Sequence, residues 1–300
     1  MIDSNIIDQN LSKMKLVIKI LSLLCITTVV LSCTKSESPK ILSDQNKILK
    51  YLVVEYENVA EIDHEKNTIT LYFGANANLS RITPIIITSN GAKVDPPSQE
   101  AIDLTIPIQY NVIAENGAER SYTLETYQFT DTALMVIDIQ NGYFPFYNDT
   151  SIVEKTLSLI NKARASNKKV IFIQSDYTSP IGDPDSPMGT WEFLIPESLD
   201  PRHDDIYIVK RMQDSFDKST SLVSALNEKM IGTLVVCGIA TQNCVHGTIT
   251  GGIERGYHII VAGDAHSSYD PYAQDRINQY NDVIWPDLGV TVLNSESILF

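Results

Sequence analysis

Three side chains of this chain could together support covalent catalysis: a carboxylate, an amine and a thiol. Asp138 follows the apolar run ALMVI, Lys210 follows IYIV, and Cys244 lies in the segment VVCGIATQNCVHGT. A cysteine becomes a strong nucleophile when a base takes its proton and a nearby cation stabilises the thiolate. Each residue alone has a simpler explanation: a helix cap for Asp138, a solvated strand-end charge for Lys210, a core filler for Cys244. Their relative positions decide between these interpretations.

The segments that position these residues alternate between apolar runs and helical patterns. Five apolar runs end in polar residues: TALMVIDIQ, KKVIFIQSD, DIYIVKR, GTLVVCGIA and YHIIVAGDA. Strands that alternate with helices predict a parallel sheet with helices on both faces, which is a three-layer α/β/α domain. Ligands bind beyond the carboxyl ends of such strands. We therefore expect Asp138, Lys210 and Cys244 to converge at one edge of the sheet.

The chemistry expected of this convergence is acyl transfer. Cys244 is predicted to lie in the first turn of a helix, where the helix dipole favours a thiolate. The Lys210 ammonium should lower the pKa of the thiol further, and Asp138 can take the thiol proton. Backbone N–H groups of the small-residue turn at residues 238–241 could hold the oxyanion of a tetrahedral intermediate. We expect Cys244 to be alkylated well below the free-thiol pKa of about 8.5.

Four segments resemble, in order and spacing, the isochorismatase-like cysteine hydrolases: ALMVIDIQNGYF, IVKRMQDSF, VVCGIATQNCVHGT and IIVAGDAHSS. The resemblance covers residues 130–300. It implies that Asp138, Lys210 and Cys244 form a triad that hydrolyses small amides through a thioester intermediate. Substrates of that family include nicotinamide, N-carbamoylsarcosine and related ureido compounds.

The same resemblance assigns a role to the turn formed by Ile239, Ala240 and Thr241. The family has a non-proline cis peptide bond before the alanine of this turn, which implies a cis bond between Ile239 and Ala240. Isochorismatases proper lack the cysteine. The presence of Cys244 therefore favours hydrolysis of an amide over hydrolysis of an enol ether.

The sequence departs from the metal motif of the nicotinamidases within this family. Those enzymes carry an Asp-x-His motif after the second strand, where this chain reads Asp176-Tyr177-Thr178 and has no histidine between Thr178 and His203. We therefore expect no catalytic metal and no other cofactor, and nicotinamide becomes a less favoured substrate.

Five further side chains are candidate substrate-binding groups around the predicted site. They are Gln140, Phe144, Trp191, Phe216 and His266. For the aromatic candidates, packing in the core is the alternative explanation. The Pro- and Asp-rich loop at residues 178–205, between the second and third strands, is expected to form a lid or a wall of the pocket.

Residues 47–128 consist of short β-branched or alternating runs separated by turn residues. The runs are ILKYLVVEY, NTITLYF, RITPIIITS, IPIQYNVIAE and RSYTLETY, and Asn116-Gly117 between the last two predicts a two-residue hairpin. The pattern predicts a small β-sandwich that resembles the immunoglobulin-like modules of bacterial surface lipoproteins. The sequence of this region contains no cluster of catalytic side-chain types. We expect a spacer or a binding module.

Residues 1–33 are expected to be a lipoprotein signal peptide, and residues 34–46 a linker. Lys13, Lys15 and Lys19 precede the apolar run ILSLLCITTVVL. The run has twelve residues, fewer than the about 20 that a membrane-spanning helix needs. The segment VLSC resembles a lipobox, in which Cys33 would carry the lipid. Translation could begin at Met1 or at Met14. We expect an exported protein that is anchored to a membrane through Cys33, on the periplasmic or cell-surface side.

The net charge of −14 argues against a nucleic-acid partner, because binding to phosphates needs a basic surface. The expected partner is a small amide, and the family resemblance also allows a homo-oligomer. Two alternatives to an exported amidohydrolase stay open. One is an inactive surface lipoprotein that binds a ligand with the hydrolase fold and the β module. The other is a structural module with Cys237 and Cys244 in a disulfide, although their predicted positions are poorly spaced for a bridge.

Overall fold

The computed structural model describes residues 41–146, 151–178, 185–269 and 271–300. The predicted signal peptide with Cys33, the linker up to residue 40, and part of the predicted lid lie outside the described residues. Ser43–Phe300 forms one compact unit. In the described part of the chain, the helices are all too short or too polar to cross a membrane.

Residues 43–128, all within the described chain, form two facing β-sheets. Their strands are β1 (Ile48–Val53), β2 (Asn58–Val59), β3 (Glu61–Asp63), β4 (Thr68–Phe73), β5 (Pro84–Thr88), β6 (Lys93–Asp95), β7 (Ile108–Ile113) and β8 (Glu119–Gln128). One sheet has the order β2-β1-β5 and the other β3-β4-β8-β7-β6. Tyr51, Leu71 and Tyr110 from the two sheets share one buried core. The predicted β-sandwich is confirmed. The predicted hairpin between β7 and β8 is present, but its turn is longer than two residues, since the N–H of Gly117 donates to the carbonyl of Ala114 and the N–H of Ala114 to the carbonyl of Ala118.

Residues 131–300 form the α/β domain. Its strands are β9 (Asp131–Ile137), β10 (Lys169–Ser175), β11 (Ile206–Lys210), β12 (Ile231–Ile239), β13 (His258–Ser267) and β14 (Thr291–Leu293), and its helices are α1 (Ser151–Ala165), α2 (Leu222–Glu228), α3 (His246–Glu254), α4 (Ala273–Gln279) and α5 (Trp285–Asp287). Among the described residues, the strands form one sheet in the order β11-β10-β9-β12-β13-β14, and each neighbouring pair is parallel. The predicted parallel α/β/α architecture is confirmed.

The central strands are continuous apolar runs because both faces of the sheet are covered. In β9, Leu134 and Val136 face a core shared with α1, whereas Met135 and Ile137 face a core shared with α2, α3 and Trp285. Alternate side chains of a strand point to opposite faces, so a strand between two helical layers must be apolar at every position.

The strand order places the first strand of the domain, β9, in the middle of the sheet beside β12. The chain runs outward from β9 through β10 to β11 on one side, and through β12 to β14 on the other. In such a sheet the crevice for a ligand opens where the order reverses, beyond the carboxyl ends of the two central strands. Asp138 directly follows β9, and the turn with Cys244 directly follows β12.

The β-sandwich joins the α/β domain closely, since only Phe129 and Thr130 separate β8 from β9. The backbone N–H of Ala75 donates to the carbonyl of Gly232 at the start of β12, at 3.1 Å. The N–H of Asn76 donates to the carbonyl of Gly256 at 2.8 Å. Glu57 and Arg255 add an ion pair of 2.7 Å. These contacts lie at the amino ends of β12 and β13, opposite the edge that carries the candidate site.

We predict that Gly238→Ala lowers the free energy of unfolding by about 3 kcal/mol, whereas Gly289→Ala lowers it by about 1 kcal/mol. Gly238 has φ +128°, and an added Cβ would lie 2.1 Å from the carbonyl oxygen of Ile137. Gly289 also has a positive φ, +78°, but no described atom lies within 4 Å of its added Cβ. Urea unfolding of both variants measures the difference. Equal losses would show that the contact between β9 and β12 does not constrain Gly238.

Candidate active site

A buried ion pair joins the ends of β9 and β11. The Nζ atom of Lys210 lies 2.8 Å from the Oδ2 atom of Asp138, and their side chains are 0% and 4% exposed. Lys210 Nζ also donates to the carbonyl of Met212 at 3.2 Å. The amine and the carboxylate that the sequence predicted to converge are therefore in direct contact, two strands apart in the sheet.

Asp138 adopts an unusual backbone conformation at the end of β9. Its φ is +51°, in the left-handed region, and its N–H donates to the carbonyl of Ile173 on β10 at 3.0 Å. A non-glycine residue in this region costs about 1–3 kcal/mol and is concentrated at functional sites. Its Oδ1 atom is buried and has no hydrogen-bond partner among the described residues. One carboxylate oxygen thus holds Lys210, and the other can accept a proton.

Cys244 lies in a π-helical turn, Thr241–Val245, between the end of β12 and the start of α3. The peptide bond between Ile239 and Ala240 is cis, as the resemblance implied. The carbonyl of Ala240 accepts the N–H groups of Asn243 at 3.0 Å and Val245 at 3.2 Å. The thiol was predicted to lie in the first turn of the α-helix, but it lies in the π-helical turn that directly precedes α3. Single π-helical turns of this kind are frequent at functional sites.

The electrostatics of the thiol differ from the sequence-based expectation. Burial raises the pKa of Cys244, and the neighbouring carboxylate of Asp138 raises it further, to about 12. The ammonium of Lys210 opposes this shift without cancelling it. The predicted depression of the thiol pKa is therefore wrong. Lys210 already pairs with Asp138, so its charge does not outweigh desolvation of the thiolate and repulsion from the carboxylate.

For the amine of Lys210, attraction to its neighbours has a larger effect on the pKa than burial. Burial alone would lower the pKa of Lys210, but attraction to Asp138 and Cys244 outweighs burial, and the pKa lies above its ordinary value. Near neutral pH the amine of Lys210 is therefore an ammonium and the thiol of Cys244 is neutral. This arrangement suits proton transfer from the thiol to Asp138 when a substrate carbonyl arrives.

A cavity of about 280 Å³ opens above these groups. Its described lining comprises Asp138, Tyr143, Ser175, Tyr177, Arg211, Met212, Gln213, Ile239, Ala240, Asn243, Cys244 and Tyr269. Lys210 lies beneath this lining and is closed off from solvent. The predicted carboxylate, cysteine and cis-peptide turn therefore share one cavity wall.

Several lining residues were missed by the sequence analysis although they follow strand ends. Ser175 and Tyr177 come at or just after the end of β10, and Met212 follows Lys210 at the end of β11. Tyr143 lines the inner wall, and its hydroxyl lies 3.0 Å from the Oγ atom of Ser186. Because ligands bind beyond the carboxyl ends of parallel strands, every residue that directly follows a strand was a candidate, and that criterion would have found most of these residues.

Gln140 supports the site but does not line the cavity among the described residues. Its Nε2 atom donates to the carbonyls of Ser175 at 3.1 Å and Phe193 at 2.9 Å, and its Oε1 atom accepts the N–H of Ser175 at 2.8 Å. The side chain is fully buried. Its predicted contact with substrate is corrected to a structural link between the ends of β9 and β10.

The three aromatic candidates also lie outside the described cavity lining. Phe216 is 1% exposed and packs against Tyr257 in the core between the sheet and α3. Trp191 is 65% exposed on the surface. Phe144 is half-buried and does not contribute to the described cavity wall. Residue type alone did not reveal which way these rings point.

His266, the last candidate, is 3% exposed and lies behind the cavity wall. Its ring nitrogens lie 2.9 Å from the Oγ1 atom of Thr241 and 2.9 Å from the Oδ1 atom of Asn281. The histidine therefore contacts the nucleophile turn and not the described cavity.

Asp176, which occupies the metal-motif position, is engaged in protein contacts. Its Oδ1 atom accepts the N–H of Met188 at 2.9 Å, and its Oδ2 atom pairs with Arg211 at 2.7 Å. The bond from Met188 and the pair with Arg211 lower the pKa of Asp176. The described residues include no group of three or more His, Cys, Asp or Glu side chains that could hold a metal ion.

The two cysteines of the α/β domain are free thiols. Cys237 lies inside β12, is 0% exposed and packs in the core on the α1 face of the sheet. Burial raises the pKa of its thiol to about 12. The disulfide alternative is therefore wrong, and Cys237 is the core filler of the pair.

Comparison with known proteins gives two family matches. Residues 48–126 match the model described as SGBP, N-terminal, and residues 132–292 match the isochorismatase domain model. The first region corresponds to most of the β-sandwich, and the second to nearly all of the α/β domain.

Individual relatives match the second region. A streptothricin hydrolase from Streptomyces noursei is 28% identical over 148 residues, which are 48% of this chain and 52% of that protein. A ureidoacrylate amidohydrolase from Stutzerimonas stutzeri is 28% identical over 189 residues, 51% of this chain and 76% of that protein. The structure of an isochorismatase family protein from Burkholderia thailandensis is 25% identical with a TM-score of 0.49, over 56% of this chain and 93% of that chain. The chain thus spans about half the length of the streptothricin hydrolase. Because the isochorismatase domain model matches more than half of its residues, this chain belongs to the isochorismatase family.

Proposed function

We propose that this chain is an exported cysteine amidohydrolase that cleaves a C–N bond of a small amide or a carbamoyl or ureido compound. The observation that carries the proposal is the buried contact between Lys210 and Asp138 beside Cys244, with one carboxylate oxygen left unpartnered in the described structure. A nucleophile, a base and a fixed positive charge are the groups that acyl transfer through a cysteine needs.

In the first half-reaction, the Sγ atom of Cys244 attacks the carbonyl carbon of the substrate while the thiol proton passes to Asp138. Backbone N–H groups of the turn at Ala240 and Cys244, which line the cavity, stabilise the oxyanion. The tetrahedral intermediate then collapses, the C–N bond breaks, and Asp138 returns the proton to the leaving nitrogen. This step releases ammonia or an amine and leaves a thioester on Cys244.

In the second half-reaction, a water molecule attacks the thioester carbonyl while Asp138 takes one of its protons. The C–S bond breaks, the acid leaves, and the proton returns to the sulfur of Cys244. Lys210 stays protonated throughout because its raised pKa keeps it charged near neutral pH. Its charge stabilises the single negative charge, which moves from Asp138 to the oxyanion as Asp138 takes the proton in each attack.

The cavity supports a small substrate. Its volume of about 280 Å³ lies just below the range of about 300–1,000 Å³ that is typical of small-molecule sites. The names of two relatives, a ureidoacrylate amidohydrolase and a streptothricin hydrolase, support hydrolysis of a C–N bond. Tyr177 and Tyr269 line the mouth and provide flat apolar surfaces to the substrate.

An inactive surface lipoprotein that binds a ligand in the same cavity is the alternative. The complete set of Asp138, Lys210 and Cys244 favours the enzyme, because a binding site gains nothing from a buried unpartnered carboxylate oxygen. A ligand that binds without turnover, with unchanged affinity in Cys244→Ala, would favour the alternative.

Export and anchoring through Cys33 are part of the proposal. The lysine-flanked apolar run and the VLSC segment support a lipoprotein signal. An acyl chain contributes about 0.8 kcal/mol per buried methylene, so two or more chains hold a protein stably on a membrane.

We predict that Cys244→Ser, Asp138→Asn and Lys210→Met each lower kcat by about a thousandfold or more, because triad members act as a unit. The assay measures release of ammonia from a panel of small amides and ureido acids. Cys237→Ala serves as the matched control, since Cys237 is buried in the core away from the described cavity. Turnover that survives Cys244→Ser would contradict the assignment of the nucleophile.

We also predict that Asp138→Asn speeds alkylation of Cys244 by iodoacetamide at pH 8 while it abolishes turnover. The carboxylate helps to raise the thiol pKa to about 12, so its removal lowers that pKa and increases the thiolate fraction. In the wild type, alkylation should accelerate about tenfold per pH unit below the thiol pKa. Peptide mass spectrometry measures Cys244, with Cys237 as the unreactive reference. Slower alkylation of the variant would mean that Asp138 already holds the thiol proton in the resting enzyme.

A third prediction concerns the anchor. Cys33→Ser should move the protein from the membrane fraction to the soluble fraction of the expressing cell, because the lipid can no longer attach. Cys25→Ser changes the cysteine inside the apolar run that precedes Cys33 and should leave the distribution unchanged. Membrane association of the Cys33→Ser protein equal to that of the wild type would refute the lipoprotein proposal.

A further inference from the structure

His266 bridges two π-helical turns of the described chain. One is Thr241–Val245, which carries Cys244, and the other is Tyr280–Ile284, which carries Asn281. The Nδ1 atom of His266 lies 2.9 Å from Thr241 Oγ1, and the Nε2 atom lies 2.9 Å from Asn281 Oδ1. A single imidazole therefore connects the nucleophile turn to a separate segment of the fold.

The direction of both hydrogen bonds follows from the partners. The Nδ2 atom of Asn281 donates to the carbonyl of Gly263 at 2.7 Å, which leaves its Oδ1 atom as the acceptor toward His266. Nε2 of His266 must then carry the hydrogen. Burial lowers the pKa of His266 to about 4, so the ring is neutral and its Nδ1 atom accepts. The hydroxyl of Thr241 is consequently the donor of the other bond.

The bridge is closely packed. Thr241 is fully buried and His266 is 3% exposed. The ring of Trp285, also fully buried, packs edge-on against His266 with the centroids 4.8 Å apart. With its ring held by Trp285 and its nitrogens by Asn281 and Thr241, the imidazole has one available orientation. Neither His266 nor Thr241 belongs to the described cavity lining.

We propose that His266 is a positioning residue for Cys244, and that it acts by fixing the hydroxyl and backbone of Thr241 at the start of the nucleophile turn. The proposal rests on the proposed function, in which Cys244 attacks the substrate. Thr241 comes directly after the cis peptide bond and three residues before Cys244. Rotation of Thr241 would move both the thiol and the N–H groups that face the oxyanion.

The expected effect is on the rate of the chemical step more than on substrate affinity. Misplacement of a reacting group by about 1 Å can cost about a hundredfold in rate. The part of the cavity wall formed by Ser175, Tyr177 and Met212 stays in place when Thr241 moves, because these residues lie at the ends of β10 and β11. The expected signature is therefore a lower kcat with a nearly constant KM.

The experiment compares Thr241→Val with Thr250→Val in the full chain. The first substitution removes the hydroxyl that donates to His266 at nearly constant volume. Thr250 lies on α3, and its hydroxyl bonds only to the carbonyls of His246 and Gly247 among its described contacts. Thr241→Val should lower kcat by about tenfold to a hundredfold with KM changed less than about threefold. Thr250→Val should leave both constants within about twofold of the wild type, and Thr241→Ser should recover most of the lost rate.

A double-mutant cycle with His266→Leu tests whether the two residues act through one contact. The rate losses of Thr241→Val and His266→Leu should be strongly non-additive, because either change breaks the same bond. If His266→Leu does not fold, Thr241→Val and its serine rescue still decide the question. Additive losses, or a Thr241→Val enzyme with wild-type kcat, would overturn the proposal.

Alkylation of Cys244 gives a readout that needs no substrate. A loosened turn exposes the thiol that burial keeps protonated, so Thr241→Val should increase the rate of reaction with iodoacetamide at pH 8 by about threefold or more. Thr250→Val should not change that rate. If the wild type hydrolyses none of the amides, the proposed function fails while this readout still tests the position of Cys244. An unchanged alkylation rate in Thr241→Val would overturn the inference independently of activity.

Discussion

The site depends on the buried ion pair between Lys210 and Asp138. Removal of two charges from water costs several kcal/mol for each, and loss of one partner leaves the other charge uncompensated at a cost of about 3–5 kcal/mol. The ends of β9 and β11 must therefore stay at a fixed separation although β10 lies between them. Two features meet this requirement. The left-handed backbone of Asp138 directs its carboxylate toward the amine of Lys210, and the hydrogen bonds of Gln140 hold the end of β9 against the end of β10.

The segment after Lys210 is kept in register with the helix that follows the cysteine. An added Cβ at Gly251 would lie 2.3 Å from the Oδ1 atom of Asp214, so any larger residue at this position of α3 would displace the Asp214 carboxylate. The hydroxyls of Ser215 and Thr248 meet at 2.7 Å across the same contact. The segment that follows Lys210 and the helix α3 that follows Cys244 are thus in direct contact. This contact limits how far Lys210 and Cys244 can move apart.

The sequence predicted the elements of the site better than the orientation of its side chains. Convergence of Asp138, Lys210 and Cys244 follows from parallel topology alone, and the apolar runs reveal that topology. The chain turns at Asp138, so the alternation of side chains between the two faces of the sheet stops there. The sequence pattern of β9 therefore could not show that the side chain of Gln140 is buried. The thiol pKa was mispredicted because it reflects three competing effects, burial, repulsion and attraction, and their balance requires distances that no pattern encodes.

The junction between the β-sandwich and the α/β domain has a consequence for how such proteins can be assembled from parts. Domains joined by long linkers can be exchanged by recombination without repair of either partner. Here the carbonyls of Gly232 and Gly256 receive their hydrogen bonds from Ala75 and Asn76 in the sandwich. A crossover at Phe129 would leave those carbonyls without their donors, at about 1–3 kcal/mol for each one that stays buried. A new partner for either domain would therefore have to provide the same backbone donors or acceptors at this junction.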